Sequence, residues 1–414
     1  MTDETASKPT ANAAVPSRQA NPSRVKDAAR DPRPLQRWLQ SRFLSKRISG
    51  RNRHRRATSR DKSLLEQRQG GTLALELFYA ESDPHSHLAV QALLPICQRY
   101  GLTPKLYGVE PPEGVHNPEP ELLPVMARHD AEQIALAYGL LPRRPDELPL
   151  PFQPESGGDR RRRLGHYGSA MFYLCGEWYW GVDRLCHLEQ RLRSLGLDTD
   201  PEAPFLFGRP AETVMPGAGK GLSLEWYGSL RSPYTAIGWP RVVKLCEQAG
   251  IELILKPVLP MVMRGAPVSR VKGLYIFDDT AREAAFYGQP FGPFYDPIGE
   301  PVRRAYRILP EVRAARLEQP FFGAFLQAAF TQGINLATDR GLKHVLRAAG
   351  LPTDLVNIAN SNRPLPDELE VNQAAMYDLP SWGVPTFRLV DEQGAEILHA
   401  FGQDRLWLIA QACS

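Results

Sequence analysis

The chain has 414 residues, 43% of them hydrophobic and 23% charged, which is ordinary globular material and too long for a single core. Its formal charge of +4 is uneven: residues 1–71 hold seventeen Lys or Arg against six Asp or Glu, so the remainder is net −7 and its basic character implies no specific nucleic acid for the whole protein. Five cysteines (Cys97, Cys175, Cys186, Cys246, Cys413) stand far apart without a CxxC, which excludes a disulfide framework, a zinc ribbon and dithiol redox chemistry; no apolar signal core and no uninterrupted apolar run of about 18 residues occurs, so a cytoplasmic protein without a membrane span is expected.

Residues 1–33, rich in Ala, Ser, Asn, Pro and charge, have no periodicity that could bury a face and read as disordered. Residues 35–48 differ, because Leu35, Trp38, Leu39, Phe43 and Leu44 fall on one helical stripe with Arg37, Arg42, Lys46 and Arg47 around it. A basic amphipathic helix of this kind can pack on its own body, dock a protein partner or lie on a membrane surface. The RNRHRR run at residues 51–56 reads as a solvated linker. Residues 1–70 are therefore a basic leader, partly disordered, with one short helix.

A first globular domain is expected over residues 71–200. It opens with a strand at 72–80, the turn ESDPHS, a helix at about 87–100 closed by Gly101, and a strand at 103–109: a βαβ crossover. One modest helix, about 118–138, follows, and then GGDRRRRL at 157–164 interrupts a Pro-rich stretch. Residues 201–220 form a linker, and a second domain covers 221–414. There LSLEWYGS (222–229) alternates as a strand does, SPYT (Ser232, Pro233, Tyr234, Thr235) makes the turn, a helix runs to Gly250, and IELILKPV (251–258) is the second strand. A turn at the carboxyl end of a strand that faces a helix N-terminus is where anions and activated nucleophiles sit.

The two crossovers align, residues 77–109 with 225–258, and so do the closing segments, 165–192 with 382–413. Each closing segment reads as strand, hairpin, strand and a G-x-D-R-L opening a helix. A duplicated fold is the economical reading. In the second copy about 120 residues, 260–380, are inserted, with helical patterns near 280–286, 297–309, 313–331, 338–349 and 366–377. On residue types alone, Ser232 and Pro233 are also a good helix N-cap and first helical residue.

SPY after the first strand in place of a CxxC, then KGLY (272–275), GVPTF (383–387) and FGQDR (401–405), occur in order over residues 222–414. With the helical insertion and the ββα ending, this plan resembles the thioredoxin-like, DsbA-type proteins, and within them the branch of kappa-class glutathione transferases and 2-hydroxychromene-2-carboxylate isomerases. The resemblance implies an α/β protein of two thioredoxin-like domains, the second with a large helical insertion. It implies glutathione as co-substrate, and a transferase or isomerase acting on a small apolar or aromatic molecule. A non-catalytic interaction protein of the same fold is the alternative. The resemblance gives Ser232 the glutathione thiolate, Lys272 a glutathione carboxylate, Val384 before a cis Pro385 the peptide backbone, and Gln403 and Asp404 the γ-glutamyl end. Tyr234, Tyr275 and Phe291 would line the substrate pocket, although an aromatic run in an insert is also plain core.

The first copy departs from this plan. Its turn reads DPHS, with Asp83 where Ser232 stands, and Gly168, Ser169 and Ala170 replace Gly383, Val384 and Pro385. A carboxylate at that place repels a thiolate. Asp83, His85 and His87 lack a fourth ligand in sequence reach and read as polar turn residues, leaving no metal site expected. The first domain is expected to cover a face of the second, or to stand in for a partner subunit.

Overall fold

The computed structural model describes residues 31–69, 71 and 73–413, so the disorder expected for residues 1–33 lies, up to residue 30, outside the described residues. Two helices come first, α1 (Pro34–Ile48) and α2 (Gly50–Gln69). The second corrects the linker reading of RNRHRR. Arg, Ala, Leu, Glu and Gln are sound helix formers, and the surrounding acidic body supplies partners for the basic side chains. Arg56 reaches Asp278, Arg60 pairs with Glu177 at 2.6 Å, and Leu64 is fully buried.

The first lobe follows as β1 (Ala74–Tyr79), α3 (Pro84–Tyr100), β2 (Thr103–Gly108), α4 (Leu122–Ala135), α5 (Gly157–Arg163), β3 (Met171–Leu174), β4 (Glu177–Trp180) and α6 (Leu185–Ser194). β1 pairs parallel to β2 and antiparallel to β3, which pairs antiparallel to β4. α3 starts on Asp83, whose side chain accepts from the His85 amide, and ends on Gly101 in the left-handed region. GGDRRRRL, expected to interrupt, is helix α5: Ser156 caps it, and Arg160 makes two hydrogen bonds to the Glu76 carboxylate. Gly157 lets that helix touch β2, since a Cβ there would lie 2.2 Å from the Gly108 carbonyl oxygen.

The second lobe comprises β5 (Ser223–Gly228), α7 (Pro233–Ala249), β6 (Glu252–Pro257), α8 (Arg270–Phe286), α9 (Glu300–Arg307), α10 (Leu309–Ala314), α11 (Glu318–Phe330), α12 (Asp339–Ala348), α13 (Val356–Ala359), α14 (Glu368–Asp378), β7 (Thr386–Val390), β8 (Glu396–Phe401) and α15 (Leu406–Ala412). Its sheet order, β6-β5-β7-β8, repeats the first lobe's β2-β1-β3-β4, with the same parallel and antiparallel pairings. Two inserted helices differ from expectation. α8 begins at Arg270, ten residues early, because Ser269 caps it through the Lys272 amide; Gly273 in its first turns weakens the helical pattern in the sequence. The helix expected over 313–331 is broken into α10 and α11 by Arg316, whose φ of +57° no helix continues through.

Each lobe has its own core, and the two interlock. Trp407 of α15 is buried as a member of the first lobe's core, and the Arg405 guanidinium reaches Asp130 at 2.7 Å and Asp183 at 2.8 Å there. In return Arg184 enters the second lobe, 2.9 Å from Asp279 and 2.5 Å from Asp404. Backbone capture is reciprocal as well: Gln133 of α4 donates to the His399 carbonyl, and Arg282 of α8 to the Trp178 carbonyl.

Candidate functional site

Ser232 sits between β5 and α7 with extended backbone angles, so its hydroxyl points back at the first turn of the helix. It accepts from the Thr235 amide at 3.2 Å and donates to the Val384 carbonyl at 3.4 Å. The Val384–Pro385 bond is cis, and the Pro385 carbonyl accepts from the Gly402 amide. Gly383 is held against β8, where a Cβ would meet the Phe401 ring at 2.2 Å. Ser232, Val384 and Pro385 are therefore neighbours, and the hydroxyl is both cap and donor. Arg231, just before the turn, makes two bonds of 2.8 and 2.9 Å to Asp296. Burial would raise the Asp296 carboxyl, but the Arg231 guanidinium outweighs it and holds it below the usual carboxylate range.

α8 brings three residues of one face towards this turn. Lys272, in its first turn, is half-buried: its Nζ donates to the His116 carbonyl at 3.3 Å and lies 5.1 Å from the Trp382 ring. Burial draws its ammonium down to about 8. Tyr275 has its ring edge against His166 of the first lobe, and its hydroxyl is buried without a hydrogen-bond partner. Asp279 accepts from the Tyr234 hydroxyl at 2.7 Å. Burial, then the Asp279 charge, pushes the Tyr234 phenol well above its ordinary value, so Tyr234 stays a donor.

Gln403 and Asp404, expected to be open to a γ-glutamyl group, are engaged from within. Gln403 donates to Glu283 at 2.6 Å and accepts from Arg241, and Asp404 carries the Arg184 guanidinium. Glu283 gathers Arg209 at 2.7 Å and His187 at 2.5 Å besides. Burial favours the neutral acids here, yet Arg184 and its neighbours hold Glu283 and Asp404 well below the ordinary range. The physical reason is compensation: buried carboxylates need counter-charges, and the first lobe provides them. Phe291 is also elsewhere: it stacks on Phe330 and tilts against Phe277, packed against the core of the insert, and no contact with Ser232 is among those described.

Arg184, Asp279 and Glu283 escaped the sequence reading as site residues. Arg184 carried a signal, since it and Arg405 occupy the same place in the two G-x-D-R-L segments, but their crossing into opposite lobes is not written locally. The first lobe's turn is tied down differently. Asp83 accepts from the Ser86 hydroxyl at 2.9 Å, His85 faces Asp130 at 3.3 Å, and His87 contacts the Glu81 carbonyl.

This arrangement can hold an anion at the Ser232 hydroxyl and the α7 N-terminus, with the Lys272 ammonium as a second positive pole. None of the residues placed at this turn is a cysteine that could exchange a disulfide; all five cysteines are free, and four are buried.

Residues 223–414 match the family described as DSBA-like thioredoxin domain. Among solved structures, the chain is similar to a probable DsbA oxidoreductase from Streptomyces coelicolor, at 16% identity and a TM-score of 0.36, over 46% of this chain and 88% of that one. It is similar to a 2-hydroxychromene-2-carboxylate isomerase at 21% identity and a TM-score of 0.36, over 46% and 93%. A cytosolic disulfide reductase DsbM from Pseudomonas aeruginosa, solved with GSH, matches at 20% identity and a TM-score of 0.33, over 40% and 85%. No curated protein matches the sequence.

Proposed function

We propose that the DSBA-like thioredoxin domain of residues 223–414 works with glutathione in place of a cysteine pair, as a transferase or isomerase of the kappa-class and hydroxychromene-carboxylate isomerase branch. The observation that carries this reading is the Ser232 hydroxyl, set at the N-terminus of α7 and 3.4 Å from the carbonyl of Val384 beside the cis Pro385. A hydroxyl there can turn its proton from the Val384 carbonyl to a thiolate, while the helix end stabilises the negative charge. Val384 supplies strand-like backbone to the tripeptide, and Lys272 a cation for one carboxylate. Tyr234 and Tyr275 line the place of a small apolar or aromatic co-substrate. Gln403 and Asp404 serve indirectly, as the wall that Arg184 holds.

In the same reading the first lobe is a degenerate copy of the second, standing where a partner subunit would. Its support is the repeated strand order and the reciprocal placing of Arg184 and Arg405. Free, mostly buried thiols suit a reducing compartment, and we place the protein in the cytoplasm. The second reading, a non-catalytic interaction protein, is favoured by one observation: the groups suited to a γ-glutamyl end already have internal partners.

Calorimetric titration with glutathione separates the two. Saturable binding at millimolar ligand or below is expected, and Ser232→Asp should weaken it by about tenfold or more, roughly 1.4 kcal/mol. Asp83 shows that an aspartate caps such a helix, so this variant keeps the cap and adds only repulsion. Absence of saturable binding by the unaltered protein ends the glutathione reading; binding without turnover of any aromatic electrophile or chromene favours the second.

A further inference from the structure

Helix α1 docks by a mixed face: Ile48 is buried in the second lobe's core and Leu44 packs against it, while polar side chains make the remaining contacts. Arg37, Ser41 and Ser45, at successive fourth positions, face the body. Arg37 is only 4% exposed and donates to the carbonyls of Asp296 and Ile298 at 2.9 and 2.6 Å. The Ser41 hydroxyl accepts from the Asp296 amide, and the Ser45 hydroxyl exchanges hydrogen bonds with the backbone of Phe294. The outward face carries four of the helix's six large apolar side chains: Leu35 is 67% exposed, Trp38 45%, Leu39 52% and Phe43 50%. Large apolar side chains at i, i+3, i+4 and i+8 of one helix make a continuous stripe, and such stripes on a protein surface mark contacts.

The charges on that face indicate what it contacts. Arg42 and Lys46 lie within the stripe and are exposed, and the Arg42 guanidinium sits 5.3 Å from the Trp38 ring. Helix α1 contains no acidic residue, and Arg33, Arg51 and Arg55 are exposed beside it. Two copies paired through this face would set Arg42 and Lys46 of each against the other with no carboxylate between them. A surface that is apolar within and anionic outside accepts both features: Trp, Leu and Phe enter the acyl boundary, while Arg and Lys extend to the headgroups. We propose that α1 is a membrane-surface anchor that lays Leu35, Trp38, Leu39 and Phe43 into an anionic bilayer while its polar face stays fixed to the protein. The anchor lies on the surface and does not cross, in keeping with the fact that no described helix is long and apolar enough to span a membrane.

The test uses the full chain and sedimentation with vesicles of phosphatidylcholine alone or mixed with phosphatidylglycerol. Binding is expected to the anionic vesicles, to weaken as salt is raised, and to fall by about tenfold or more in the Trp38→Ser/Phe43→Ser variant. Both side chains point to solvent, so the variant should melt as the unaltered protein does. The inference is overturned by any of three results: no sedimentation with anionic vesicles, equal binding by the variant, which would assign the affinity to basic residues elsewhere, or concentration-dependent self-association that the variant abolishes.

Discussion

At the scale of the residue, Lys272 is the group whose chemistry depends most on its surroundings. Between the His116 carbonyl and the Trp382 ring its ammonium has given up part of its hydration, which is why it loses its proton near pH 8 instead of in the usual lysine range. An anionic ligand that needs this cation binds the protonated form. Glutathione affinity is therefore expected to be steady at neutral pH, to decline as pH rises through about 8, and to lose that step in Lys272→Met; calorimetry across pH checks it. The linkage sign for folding is opposite. A base whose folded value is depressed disfavours the fold while it is charged, below about pH 8, and that penalty vanishes above its unfolded value.

At the scale of the element, α8 is the piece on which the site depends. One face of it carries Lys272, Tyr275, Asp279 and Glu283, and the same helix contacts α1, α7 and the first lobe. Arg184 is what lets two carboxylates of α8, together with Asp404, remain ionised in the interior. Removing a single partner from a buried charge cluster leaves unpaired charge, a loss of about 3–5 kcal/mol. Arg184→Met is accordingly expected to lower the unfolding free energy from urea titration by an amount of that order, and to cost more than Arg388→Met, whose pairings with Glu396 on the edge strand β8 and with Glu225 lie near the surface and are worth about 0–1 kcal/mol. Equal losses from the two variants would contradict the central place given to the cluster.

At the scale of the whole molecule, the lobes are joined by a charge lattice and by aromatic side chains that cross between them, Trp407 and Tyr275 among them. Arg405 binds Asp130 and Asp183, Arg184 binds Asp279 and Asp404, and Trp407 fills the opposite core. Glu283 and Asp404 have folded values below their unfolded ones. Their contribution is thus complete above the unfolded range, about pH 4, and is lost as pH falls through the folded values. Burial also holds His116, His166, His187 and His399 below the ordinary imidazole value, so unfolding followed by intrinsic fluorescence should show stability beginning to fall as pH drops below about 6.5 and falling more steeply below about 4, where the carboxylate contribution is lost as well. The lobes should unfold together. Two separate transitions at neutral pH would mean that the interface couples them less than its burial implies.

Much of this was legible in the chain. The alternation in LSLEWYGS, Gly101 and Gly250 as helix ends, the SPYT turn and the aligned G-x-D-R-L segments located the strands, both crossovers and Ser232, because period and turn chemistry are local properties. The leader's helix and its apolar stripe were legible for the same reason. What only the tertiary structure decided is which surface each residue meets. Arg184 pairs with carboxylates 95 and 220 positions away, Asp404 is engaged by that pairing, Phe291 packs against the core of the insert, and α1 docks by Arg37, Ser41 and Ser45 together with Leu44 and Ile48. Charge pairing and desolvation act through space, and a sequence pattern specifies which groups are charged or apolar without specifying what will face them.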